Sequence, residues 1–125
     1  MNKILVLFLF AISMSSCYQV ERECVDFKNG SFEYSYIDNE KEIKGTIVRK
    51  NDLQIESYNK RIDSSSVRWI NDCEFVAKML HPKSKNEESS IHIKILTTTK
   101  DSYTFEYYIV GKKDKKQRGT AKKIK

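Results

Sequence analysis

The residues able to do chemistry in this 125-residue chain are few, and their spacing does not suit catalysis. Two histidines, His81 and His92, and three cysteines, Cys17, Cys24 and Cys73, are its whole stock of strong metal ligands and soft nucleophiles. An enzyme needs a nucleophile, a base or metal ligands brought together. The chain has no Gly-x-Ser-x-Gly turn, no glycine-rich phosphate loop and no His-Glu-x-x-His pair. The cysteines lack Cys-x-x-Cys spacing and the histidines lack His-x-x-x-His spacing, so no metal is expected. His92 alternates with Ile91 and Ile93 and reads as an exposed strand residue, while His81, before Pro82, reads as a turn residue. Glu74 and Glu106 stand opposite apolar strand faces, where solvent-facing glutamates are common. No catalytic residue, no metal and no cofactor is expected.

The cysteines suggest modification chemistry instead. Lys3 precedes a nine-residue apolar run, Ile4 to Ile12, and the small residues Ser13, Ser15 and Ser16 lead to Cys17. A run this short does not span a bilayer, which takes about 20 residues in a helix. The pattern is that of a secretory signal over residues 1–16, resembling a bacterial lipobox with Met14 in place of the usual Leu. On that reading Cys17 is lipidated and becomes the first mature residue. Each buried CH₂ of an acyl chain contributes about 0.8 kcal/mol, and two chains anchor stably. The partner so implied is a membrane, reached through lipid at Cys17. Tyr18 gives no aspartate-type retention signal, so the expected location is the outer membrane, facing the periplasm or the outside. Residues 17–28 are then the lipidated N-terminus and tether, and residues 29–125 a single domain.

Cys24 and Cys73 remain as an even pair in an oxidising compartment. A bridge would close a loop of about 50 residues and stabilise by ~4 kcal/mol on the chain-entropy model. Two buried free thiols are the alternative. Charge is unevenly placed. Residues 17–125 carry a net +5; residues 112–125, with seven Lys and Arg118 against Asp114, supply +7, leaving −2 for the rest. The high pI describes one end of the chain, not the whole protein.

The elements that must position these residues are strands. Phe32, Tyr34 and Tyr36 alternate with Glu33 and Ser35; Ile43, Gly45 and Ile47 with Lys44 and Thr46; Leu53 and Ile55 with Gln54 and Glu56. Val67 and Trp69 follow, then an Asn71-Asp72 turn, then Cys73, Phe75, Ala77 and Met79 on one face. Phe75, Val76, Met79 and Leu80 also fit one face of a helix, but the short length favours a strand. Ile91, Ile93 and Ile95, then Tyr103, Phe105, Tyr107 and Ile109, then Gly119 and Ala121 complete the pattern, with polar turns between. The spacing predicts an all-β fold, an antiparallel up-and-down meander of about eight strands. Closure into a small lipocalin-like barrel would remove its edges; a sandwich or open curved sheet is the alternative.

The segment Trp69-Ile-Asn-Asp-Cys73-Glu74-Phe75 forms a W-x-x-x-C-E-[FY] core. With the lipobox, Cys24 before a Gly-aromatic strand, Asp101 to Glu106 and the Arg118-Gly119-Thr120 end, it resembles a family of small Gram-negative bacterial lipoproteins. Some members carry a DNA topoisomerase label, which an exported chain of this length without nucleotide-binding or acidic metal-binding motifs does not support. The resemblance implies no catalytic residues.

These readings point to a membrane-anchored cell-envelope lipoprotein with a non-catalytic binding or structural role, its partner another envelope protein. The alternative is a carrier of a small hydrophobic ligand in a barrel interior, and an envelope enzyme is the most distant. Trp69, Phe75, Tyr34 and Phe105 share the inward parity and are the candidate ligand contacts, although side chains this large in a narrow interior favour a filled core. The basic end reads as a solvated turn and a lysine-guarded edge strand rather than a lipid-binding patch. Export excludes nucleic acid as a partner.

Overall fold

The computed structural model describes residues 22–125; Cys17 and the expected signal segment lie outside them. Eight strands follow one another as β1 (Gly30–Asp38), β2 (Lys41–Lys50), β3 (Leu53–Tyr58), β4 (Arg61–Asn71), β5 (Glu74–Met79), β6 (Ile91–Thr98), β7 (Ser102–Ile109) and β8 (Gln117–Lys123). Each pairs antiparallel with its neighbour, and β8 returns to β1 to close a barrel. Closure is the resolution of the barrel, sandwich and open-sheet alternatives. It also means that β8 is not an edge strand: it pairs with β7 on one side and, from Tyr36↔Gly119 to Phe32↔Lys123, with β1 on the other.

The first three hairpins turn on two residues each, Asn39-Glu40, Asn51-Asp52 and Asn59-Lys60, all with positive φ. Positive φ at both central residues is the type I′ geometry, whose twist matches that of paired strands, and Asn tolerates it well. Such turns leave no slack, so they fix the register of β1 to β4. The β4–β5 turn falls on Asp72-Cys73, one residue later than the expected Asn71-Asp72. The Asn71 side chain accepts a hydrogen bond from the Cys73 amide at 2.9 Å, and an irregular register between Trp69 and Asn71 absorbs the shift.

Register decides which faces point inward. The Asn51-Asp52 turn sets Lys50 opposite Leu53, so Arg49 faces Gln54 and Ile47 faces Glu56. Directly opposed residues share a side of the sheet. Gln54 is buried and Glu56 half-buried, whereas Leu53 and Ile55, which the alternation alone would put in the core, are 39% and 37% exposed. The inward face of β3 is its polar one.

The N-terminal segment closes one end of the barrel. A 3-10 turn at Cys24–Phe27 carries Cys24 and Phe27 into the core beside Phe32, Ile95 and Tyr103. Cys24 is disulfide-bonded to Cys73, with Cα atoms 5.2 Å apart. Residues 24–28 therefore belong to the domain and are not tether, contrary to a boundary at residue 29, because the burial of Cys24 and Phe27 completes the core. The other end of the barrel, bounded by the β1–β2, β3–β4, β5–β6 and β7–β8 connections, has no such plug among the described residues.

Candidate functional site

The interior divides into a packed half and an open half. In the packed half Arg49 lies among aromatic rings, only 1% exposed. Its guanidinium sits 4.9–5.8 Å from the centroids of Phe75, Phe32 and Trp69. It donates to the Phe27 and Lys28 carbonyls, the Gln54 side-chain oxygen and the Tyr103 hydroxyl, at 3.0–3.3 Å. These bonds use four of its five N–H groups. Burial works to lower its pKa and the neighbouring Tyr103 to raise it. No carboxylate pairs with it among the described residues; carbonyl dipoles and ring faces take that place.

The open half is a cavity of about 300 Å³ that reaches solvent at the unplugged end. Its apolar wall includes Ile47, Ala77, Ile93, Phe105 and Ile109; its polar wall includes Tyr34, Gln54, Glu56 and Ser65. Asn86, Glu87 and Ser89 from the β5–β6 connection stand at the rim, so that stretch shapes the mouth and is not merely a solvated loop. A pocket of this size takes a small organic molecule.

Two glycines make the room. Gly45 is opposite Tyr34, and Gly119 lies between Phe105 on β7 and Tyr36 on β1. A Cβ at Gly45 would stand 2.6 Å from the Tyr34 ring and 2.7 Å from the Ser57 carbonyl oxygen. At Gly119 it would stand 2.6 Å from the Phe105 ring and 2.7 Å from the Ser35 carbonyl oxygen. Without side chains there, the rings lie back against the wall. Tyr34 and Tyr36 stack at 6.0 Å, and Tyr107 meets Tyr36 edge-on at 5.6 Å.

The polar wall centres on Glu56, which accepts a hydrogen bond from the Tyr34 hydroxyl. Burial raises the Glu56 carboxyl above its ordinary range; the Tyr34 bond and Arg61 act downward and Asp63 upward. Burial first, and Glu56 next, push the Tyr34 hydroxyl far up, so it stays protonated as a donor. Tyr36 and Tyr107 are raised by burial and by the carboxylates of Glu56 and Asp38. Arg61 bonds Asp63 and Glu87 instead of Glu56.

Of the candidate ligand contacts, Tyr34 and Phe105 line the cavity. Trp69 and Phe75 do not: they pack on each other at 4.6 Å in the filled half, where Arg49 occupies the space beside them. The filled-core expectation thus holds for one half of the barrel only. Glu56, Gln54 and Ser65 were outside the expected set; the register imposed by the Asn51-Asp52 turn reveals the first two, and that of the Asn59-Lys60 turn, which sets Ser65 opposite Gln54, reveals the third. Glu74 and Glu106 do not pair with each other. Both face outward and flank Lys94 across the strands. Glu74 contacts His92 at 3.1 Å and Glu106 contacts Lys116 at 3.7 Å. His92 is less exposed than its strand position suggested, because its ring stacks on Tyr108 at 4.7 Å. Among the described residues no group of three or more His, Cys, Asp and Glu could hold a metal, and no helix is long and apolar enough to cross a membrane.

No protein-family model matches the chain, and no curated protein matches it.

Proposed function

We propose that this protein is a membrane-anchored, non-catalytic lipoprotein of the cell envelope whose barrel carries a small hydrophobic molecule. One observation carries the reading: a cavity of about 300 Å³, open at one end and walled by the inward aromatic residues, inside a barrel whose other end is plugged and covalently tied. Eight-stranded barrels have interiors just wide enough to be filled or to hold one small ligand. Here the Tyr34 and Phe105 rings lie against the wall over Gly45 and Gly119, where a Cβ would push them away. The signal-like leader and Cys17 support the anchored half of the reading.

The neutral fluorophore N-phenyl-1-naphthylamine should bind the purified full chain saturably, one to one, with increased emission. Ser65→Phe, which extends a ring into the cavity from β4, should weaken that binding at least about tenfold, the equivalent of 1.4 kcal/mol. Non-saturable emission, or equal binding by the variant, would exclude the interior as the site.

A second reading, contact with another envelope protein, has its own support. Val48 and Ile55 lie opposite each other on the outer face of β2 and β3, with Leu53 two residues along, all exposed.

A further inference from the structure

We propose that the cavity selects a small hydrophobic cation, an alkyl- or arylammonium, with its head held by Glu56 and the rings of Tyr34, Tyr36 and Tyr107. This ligand class rests on the carrier reading above. Glu56 lines the cavity and has no salt-bridge partner within 4.0 Å among the described residues. Its hydrogen-bond donor is a neutral phenol. Arg61, the guanidinium that acts on it, is engaged by Asp63 and Glu87. The charged residues that line the cavity are Glu56 and Glu87, and Arg61 bonds Glu87; the lysines of the connections around the mouth, Lys112 to Lys116 among them, do not line it.

The rings add to this. Tyr34, Tyr36 and Tyr107 stand side by side on β1 and β7 and line the cavity with Glu56. Aromatic faces attract cations within about 6 Å, most of all where water is excluded. The packed half of the same barrel shows this chemistry: Arg49 is accepted there by three rings and by carbonyls without any carboxylate. The open half has equivalent rings plus a carboxylate, with no side chain among the described residues supplying the cation. An anionic amphiphile would meet Glu56 without a counter-charge. A neutral ligand without a hydrogen-bond donor would gain nothing from the carboxylate.

The groups facing Glu56 fix the pH dependence. Tyr34 and Tyr36 on β1, Asp63 and Arg61 on β4 and Tyr107 on β7 surround it, with Tyr58 on β3 beside the two β1 tyrosines. Tyr34, Tyr36 and Tyr107 stay neutral and Arg61 stays charged at ordinary pH, so the raised carboxyl of Glu56 carries the pH dependence. A bound cation pulls the Glu56 pKa down. Affinity for a cation is therefore complete above the raised pKa of the free protein, and falls as the pH drops through it.

The test compares benzyltrimethylammonium with its uncharged carbon analogue neopentylbenzene, each displacing N-phenyl-1-naphthylamine from the purified full chain at pH 8. The cation should displace at a concentration at least about tenfold lower. Glu56→Gln should bring the two probes to within about twofold of each other, both read against that variant's own fluorophore affinity. In the unaltered protein, acidification should close the gap between the probes and leave the neutral one unchanged. A neutral probe that binds as well as the cation, or a preference that persists in Glu56→Gln, overturns the cation assignment and leaves the carrier reading standing. If the fluorophore itself does not bind, both fall. Should Glu56→Gln fail to fold, the acid titration decides alone, and a preference independent of pH refutes the role of Glu56.

Discussion

Arg49 shows how one buried cation can organise a fold. It joins β2 to the N-terminal plug through the Phe27 and Lys28 carbonyls, to β3 through Gln54 and to β7 through Tyr103. Replacing it with Met keeps the length and removes every bond, leaving two carbonyls and two side-chain oxygens without this donor. Arg49→Met should therefore destabilise the protein by about 2–4 kcal/mol. Urea unfolding followed by the fluorescence of Trp69, the sole tryptophan and a neighbour of Arg49, measures this directly. Arg49→Lys keeps the charge but not the fork of donors, and should fall between the two. An unchanged midpoint in Arg49→Met would show that the plug is held by the disulfide alone. Glu56 is the matching residue in the open half, and its consequence is selectivity rather than stability.

At the level of elements, the glycines of β2 and β8 matter as much as the aromatic residues they face. Gly119→Val should cost about 1–3 kcal/mol, because the Ser35 carbonyl and the Phe105 ring both occupy the space of the new side chain. A shift of the urea midpoint with unchanged slope reads that cost; no shift would mean that β8 moves freely against β1. The eight strands were legible in the sequence because each carries its own period-two pattern and Asn-led turns separate the first four. The β4–β5 turn lies one residue later than the sequence suggests, since Asn71 bonds the turn from its side chain rather than sitting in it. Closure was not legible: nothing in the β8 pattern says that Gly119 meets Tyr36. The cavity was not legible either. Leu53 and Ile55 look like the inner face of β3, and only the register through Asn51-Asp52, counted from Arg49, turns Gln54 and Glu56 inward. The room at the open end depends on where the rings lie, which composition does not give.

For the whole molecule, the two ends of the barrel differ in kind. Arg22 and the plug lie at the closed end, with Arg22 bonded to the Ile95 carbonyl; the cavity mouth and the basic connection at 110–116 lie at the other. An anchor at Cys17 would thus hold the closed end toward the bilayer and turn the mouth and the lysines away from it. The few residues between Cys17 and Arg22 extend about 20 Å at most. This arrangement argues against the basic connection touching the anchoring membrane. Cells grown with radioactive palmitate should label the protein, and Cys17→Ala should abolish the label; retained label would refute the anchor. Tension applied at such an anchor would reach Cys24 before it reached β1. The Cys24–Cys73 bond would pass the load to the β4–β5 turn, half-way round the barrel. The seam between β1 and β8, where a closed sheet is easiest to unzip from its N-terminus, is thereby shielded from pulling.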